Sequence, residues 1–223
     1  WGFGFKNSDN ITPKLIDSLR QFVGYEKVRL ENGKIVKADP RIQLDASAIA
    51  KGYACDMVAN LLRSYGVEDY MIEIGGEIAM RGKNDKGVCW RIGIDKPMDD
   101  STGLRHELQT ILSICDKCVA TSGNYRNYYI KDGKKYAHTI DPQTGYPSEQ
   151  DILSATVIAD DCMTADAYAT AFMASGMEKS NEIAKKVPGL FYYFIYARPN
   201  GTMAATYSTG FEQFFAEEKA EEL

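Results

Sequence analysis

SAIAKGYACDMVANLLRSYGVEDYMIEIGGEIAMRG, residues 47–82, carries the reading that decides the fold. Ile49, Tyr53, Met57, Leu61 and Leu62 recur at helical spacing on one face and Gly66 follows as a stop, which predicts a helix from about Ser47 to Tyr65. YMIEI then reads as a strand, Gly75-Gly76 as a turn or a point of close backbone approach, and the residues toward Met80 as a return strand.

The same plan returns further along the chain. After SATVIA a helix is expected near Thr164, with Ala165, Tyr168, Ala169 and Phe172 turned inward and Gly176 interrupting it. A further helix covers about Glu178 to Val187, and Pro188 closes it. LFYYFIYAR and MAATYS, joined through Pro199-Asn200-Gly201, make a last hairpin. Two halves of helix, strand, turn and antiparallel return strand point to a duplicated α+β unit, although the residues themselves do not repeat. No linker separates the halves, so residues 1–223 read as one domain.

Outside this frame, Thr12-Pro13 starts a helix carrying Leu15, Ile16, Leu19 and Phe22, and Asn32-Gly33 and Asp132-Gly133 mark two tight hairpins. WRIGID and LQTILSIC read as strands. The net charge of −5, without a run of Lys or Arg, argues against nucleic acid as a partner. No apolar run is long enough to cross a bilayer. Five scattered cysteines do not suggest a disulfide framework, and Cys115 and Cys118, the only C-x-x-C, read as small buried or turn residues.

Five segments combine small residues with isolated charges. In LDASAIAKGYACD, Asp45 precedes a helix start and Lys51-Gly52 lies one turn inside it; the exposed amides and the ammonium suit a phosphate, and the same residues also serve as a cap and a solvated Lys. In EIGGEI, Glu73 and Glu77 flank the glycine pair. CVATSGNYRNYY sets the hydroxyls of Thr121 and Ser122 beside tyrosine rings suited to a flat ligand or to a core. KKYAHTIDPQTGYP places His138 three residues before Asp141 in a Pro/Gly turn, an imidazole able to move a proton near neutrality or a simple turn residue. In DDCMTADAYATAF, Asp166 and Thr170 lie four apart on one helix face and offer hard oxygen ligands suited to Mg²⁺.

In this order the five segments resemble the ApbE family, the FAD:protein FMN transferases once described as thiamine-biosynthesis lipoproteins. The resemblance implies a T-fold-like architecture of duplicated helix-plus-sheet units, with the active site in a cleft between them. It implies Mg²⁺-dependent cleavage of FAD and transfer of FMN to a Thr or Ser hydroxyl of an acceptor flavoprotein, a subunit of a respiratory or Rnf-type complex, with release of AMP. A FAD pyrophosphatase yielding FMN and AMP, or a non-catalytic flavin-binding envelope lipoprotein, is the alternative. Matched by motif, Ala48 through its carbonyl, Asp166 and Thr170 are the metal ligands. Asp45, Lys51, Gly75, Gly76, Glu77 and Leu153 belong to the FAD site, and His138 is the catalytic base. The family also implies the periplasmic side of a bacterial cell envelope, held by a lipid anchor, and a further FAD-binding segment ahead of the WGFG stretch.

Overall fold

In chain order the elements are α1 (Pro13–Arg20), β1 (Val28–Glu31), β2 (Lys34–Lys37), α2 (Ala50–Ser64), β3 (Tyr70–Ile74), β4 (Glu77–Arg81), β5 (Trp90–Asp95) and β6 (Leu108–Ile114). They continue as β7 (Cys118–Gly123), β8 (Tyr128–Lys131), β9 (Lys134–Ala137), β10 (Ile152–Ala159), α3 (Cys162–Ser175), α4 (Met177–Ala184), β11 (Phe191–Ala197) and β12 (Met203–Tyr207). The structure, a computed structural model, describes residues 11–97, 107–123, 128–131, 134–137, 139–148 and 151–216. The fold is α+β with antiparallel pairing throughout the described strands. Two compact units divide the chain, 1–46 with 128–149 and 47–127 with 150–223.

In the smaller unit, the Thr12 hydroxyl caps α1 by accepting from Leu15 N at 3.2 Å, ahead of Pro13. Of the predicted stripe only Ile16 is buried, against the turn at Gly145, where a Cβ would come within 2.7 Å of its Cγ2. That turn is closed by Asp141, whose Oδ1 accepts from Gln143 N at 2.8 Å, and the Arg20 guanidinium donates to the Gln143 carbonyl. Both predicted hairpins are present, with Glu31 opposite Lys34 and Lys131 opposite Lys134.

The larger unit is built on a six-stranded sheet in the order β12-β11-β10-β7-β4-β3. Its central strands are covered on both faces, so β10 is buried along nearly its whole length instead of alternating. Val119, Ile158, Tyr193 and Ile195 face a layer formed by the β5–β6 hairpin and a short 3₁₀ turn, Phe211–Phe214. Ala120, Val157, Tyr192 and Phe194 face α3, whose Ala165, Ala169 and Phe172 turn inward as the spacing predicts.

α2 departs from its predicted face. The apolar stripe Tyr53, Met57 and Leu61 is exposed, and Gly52, Cys55 and Ala59 are buried instead. Size decides the matter, because only small residues let α2 approach the backbone of α3, and a Cβ on Gly52 would lie 2.3 Å from the Cys162 carbonyl oxygen.

The cysteines also depart from expectation. Cys115 is disulfide-bonded to Cys89 with a Cα separation of 5.0 Å. The two residues flank the last paired positions of the β5–β6 hairpin, Trp90 and Ile114, and cross-link its open end. Sequence spacing could not show this, since the partners are brought opposite each other only by strand register. Cys55, Cys118 and Cys162 are free and buried. Burial pushes the Cys55 thiol up, and hydrogen bonding to Cys118 together with burial pushes the Cys162 thiol up, so both stay protonated at neutral pH. Alkylation followed by mass measurement should therefore label no cysteine in the native protein, three after denaturation without reductant, and all five after denaturation with reduction.

Candidate functional site

Lys51 with Glu77, and Gly52 with Asp166, meet where α2 and α3 begin. α2 has no side-chain cap at Ile49, and its third amide, Gly52 N, donates to Asp166 Oδ2 of α3 at 3.0 Å. In return, Asp56 of α2 accepts from Cys162 N and Met163 N, both at 2.9 Å, and Asp161 accepts from Thr164 N at 2.8 Å. Each helix thus receives a carboxylate at its positive end from the other.

One turn after Asp166, Thr170 shares a hydrogen bond with Ser122 of β7 at 3.2 Å between hydroxyl oxygens. Asp166 is 2% exposed. A carboxylate and a hydroxyl on one helix face are hard oxygen donors that fit Mg²⁺, and Ala48, half-buried in the turn before α2, could add only a carbonyl. Among the described residues no three His, Cys, Asp or Glu side chains form a metal cluster.

Lys51, the residue before Gly52, forms an ion pair with Glu77 at the start of β4. The pair is asymmetric: the Lys51 side chain is 45% exposed and that of Glu77 1%. Gly75 and Gly76 form the two-residue turn between β3 and β4, with φ of 61° and 98°, values that favour glycine. A Cβ on Gly75 would come within 3.0 Å of Lys51 Cδ, whereas one on Gly76 would meet nothing within 4 Å. The glycine pair is therefore a tight turn, and Gly75 alone lies over the lysine stem. Burial pushes the Glu77 carboxyl above its ordinary value, and the Lys51 hydrogen bond offsets this in part.

Leu153 falls where the β10–β11 register shifts between Ile152 and Ser154. A residue at such an irregularity falls out of the regular ladder, which suits the backbone contact expected of it. Asp45 is exposed and belongs to the smaller unit. His138, the expected base, lies outside the described residues, as does His106. Gly52, Asp56 and Ser122 fall within the candidate segments but carry no individual role in the sequence reading; a glycine inside a helix pattern is the available signal for the first.

A family model described as the ApbE family matches residues 1–194. The chain belongs to the ApbE family. A protein of Vibrio cholerae described as FAD:protein FMN transferase is 42% identical over 187 residues, covering 83% of this chain and 55% of that relative. An Escherichia coli K12 protein of the same description is 35% identical over 225 residues, covering 98% of this chain and 62% of its own length. The chain thus spans between half and two thirds of each of these two relatives. Among solved structures, the Vibrio cholerae flavin transferase ApbE superposes with a TM-score of 0.83 at 37% identity, covering 96% of this chain and 67% of that one. Pseudomonas stutzeri flavinyl transferase ApbE gives 0.81 at 33% identity, covering 96% and 65%.

Two outcomes follow from this geometry. Helix propensity alone favours Ala over Gly at position 52, but the Cys162 carbonyl cannot yield 2.3 Å from a new Cβ, so Gly52→Ala should lose about 3 kcal/mol of stability in denaturant titration. The folded state also binds the Glu77 proton more tightly than the unfolded chain, so stability falls as pH rises above the ordinary value of 4.5. Relative to Glu77→Gln, the thermal midpoint of the wild type should decline as pH is raised through that point.

Proposed function

We propose that the protein transfers FMN from FAD to a Thr or Ser hydroxyl of an acceptor flavoprotein, with Mg²⁺ and with release of AMP. The observation that carries this reading is the hydrogen bond from Gly52 N to Asp166, which joins a helix start suited to phosphate to a pair of oxygen donors suited to Mg²⁺. Relatives described as FAD:protein FMN transferases support it.

Lys51 and the start of α2 bind the pyrophosphate, where the ammonium adds to the positive end of the helix. Asp166, Thr170 and the Ala48 carbonyl hold Mg²⁺, and Ser122 keeps the Thr170 hydroxyl oriented. Bound there, Mg²⁺ supplies Lewis-acid neutralisation of charge on the phosphate oxygens. The Gly75-Gly76 turn leaves the open side of Lys51 accessible to the nucleotide, and the Leu153 backbone meets the flavin portion. His138 takes the proton of the acceptor hydroxyl, since a Thr or Ser hydroxyl is a weak nucleophile at neutral pH and a neutral imidazole is the side chain suited to relieve it. We place the acceptor among membrane-bound respiratory or Rnf-type subunits and the reaction on the periplasmic face of the cell envelope.

Incubation with FAD, Mg²⁺ and such a subunit should give acceptor whose flavin fluorescence survives denaturing electrophoresis, together with one AMP per flavin attached. His138→Ala should slow labelling roughly 10²–10⁴-fold. Asp166→Ala or chelation of Mg²⁺ should abolish it. Unlabelled acceptor at saturating substrate overturns the proposal, and AMP with free FMN under those conditions assigns a FAD pyrophosphatase instead.

A further inference from the structure

Among the described residues, one buried side-chain oxygen has no hydrogen-bond partner: Glu77 Oε2. A half-satisfied carboxylate in the interior is costly, and a residue of similar volume without charge would fill the same space at lower cost, so its retention calls for a reason other than packing. The other oxygen, Oε1, gives that reason, because it binds the Lys51 ammonium.

We propose that Glu77 is a positioning residue, whose buried carboxylate pins the Lys51 ammonium beside the N-terminus of α2 so that it meets the pyrophosphate of a flavin dinucleotide already in place. Three constraints converge on the lysine. Glu77 is immobilised at the first position of β4, opposite Ile74, and its carbonyl accepts from the Cys55 thiol at 3.3 Å. Gly75 closes over the Lys51 stem without a Cβ to displace it. The neighbouring Gly52 is fixed in turn, its amide donating to Asp166 Oδ2 of α3 at 3.0 Å, so the backbone that carries the lysine is held as well. A free lysine on a helix surface samples many rotamers, and each loses its freedom when a phosphate binds; here that freedom is already lost in the folded protein. Glu77 therefore acts without touching the nucleotide.

The inference rests on FAD as the substrate, and the test separates the two. Dissociation constants for FAD and for riboflavin, which has no phosphate, are measured by flavin fluorescence for the wild type, Glu77→Gln, Lys51→Ala and the double variant. Each single substitution should weaken FAD by roughly ten- to a hundredfold, the effect of losing one charge-assisted hydrogen bond, and leave riboflavin unchanged. The double variant should be no weaker than Lys51→Ala. Unchanged FAD affinity in Glu77→Gln, equal losses for FAD and riboflavin, or additive losses in the double variant overturn the inference and leave the proposed function standing. Wild-type protein that binds FAD no better than riboflavin overturns both. If Glu77→Gln is recovered only unfolded, the ¹⁵N resonance of the Lys51 ammonium in the wild type decides: a slowly exchanging signal before FAD is added, shifted by FAD, supports pinning, and its absence from the free protein overturns it.

Discussion

α2 and α3 begin in van der Waals contact, and each supplies the carboxylate that the start of the other needs. Two helix N-termini brought side by side would repel through their partial positive charges, and the first amides of each would lose water without gaining partners. Asp56 and Asp166 answer both problems at once, the first at Cys162 and Met163, the second at Gly52. Gly52 makes the arrangement possible, because no other residue leaves room for the Cys162 carbonyl. α3 lies on β7 and β10 and α2 toward β3 and β4, so the helix contact stands over the β7–β4 junction of the sheet.

The proposed chemistry draws on the same contact. Lys51 and Gly52 are neighbours in α2, but one turns toward the buried Glu77 and the other donates its amide to Asp166, so an ammonium and a carboxylate of α3 are held on adjacent residues. Glu77 and Asp166 are both buried, and burial first, with the nearby Asp166 charge, raises the cost of ionising Glu77. The lysine relieves part of that cost for Glu77. Preorganisation of this kind places the expense in the folded protein, before substrate arrives, and lowers what must be ordered on binding.

Much of this was legible in the sequence. Apolar spacing located the four described helices and nearly every described strand, because those patterns depend on residues close together in the chain. Asp166 and Thr170 were legible for the same reason, since a separation of four on a helix fixes a shared face without tertiary information. The buried face of α2 was not. Hydrophobicity pointed to Tyr53, Met57 and Leu61, whereas close approach of two backbones selected the small residues Gly52, Cys55 and Ala59. Cys89 and Cys115 were likewise hidden, because only the β5–β6 register sets them opposite each other. Ser122 and Asp56 act across more than forty positions of sequence, a distance at which spacing carries no information.

The two helix starts exchange equivalent contacts, with position 166 serving 52 and position 56 serving 162, although the surrounding residues do not repeat. The copies have nonetheless diverged in how fully each carboxylate is used. Asp56 commits both oxygens to amides of α3, and Asp161 adds a local cap, so that helix start is saturated. Asp166 gives one oxygen to one amide, and α2 has no local cap at Ile49. The asymmetry ties the start of α3 to Asp56 and Asp161, and the start of α2 to Asp166 with Lys51 beside it.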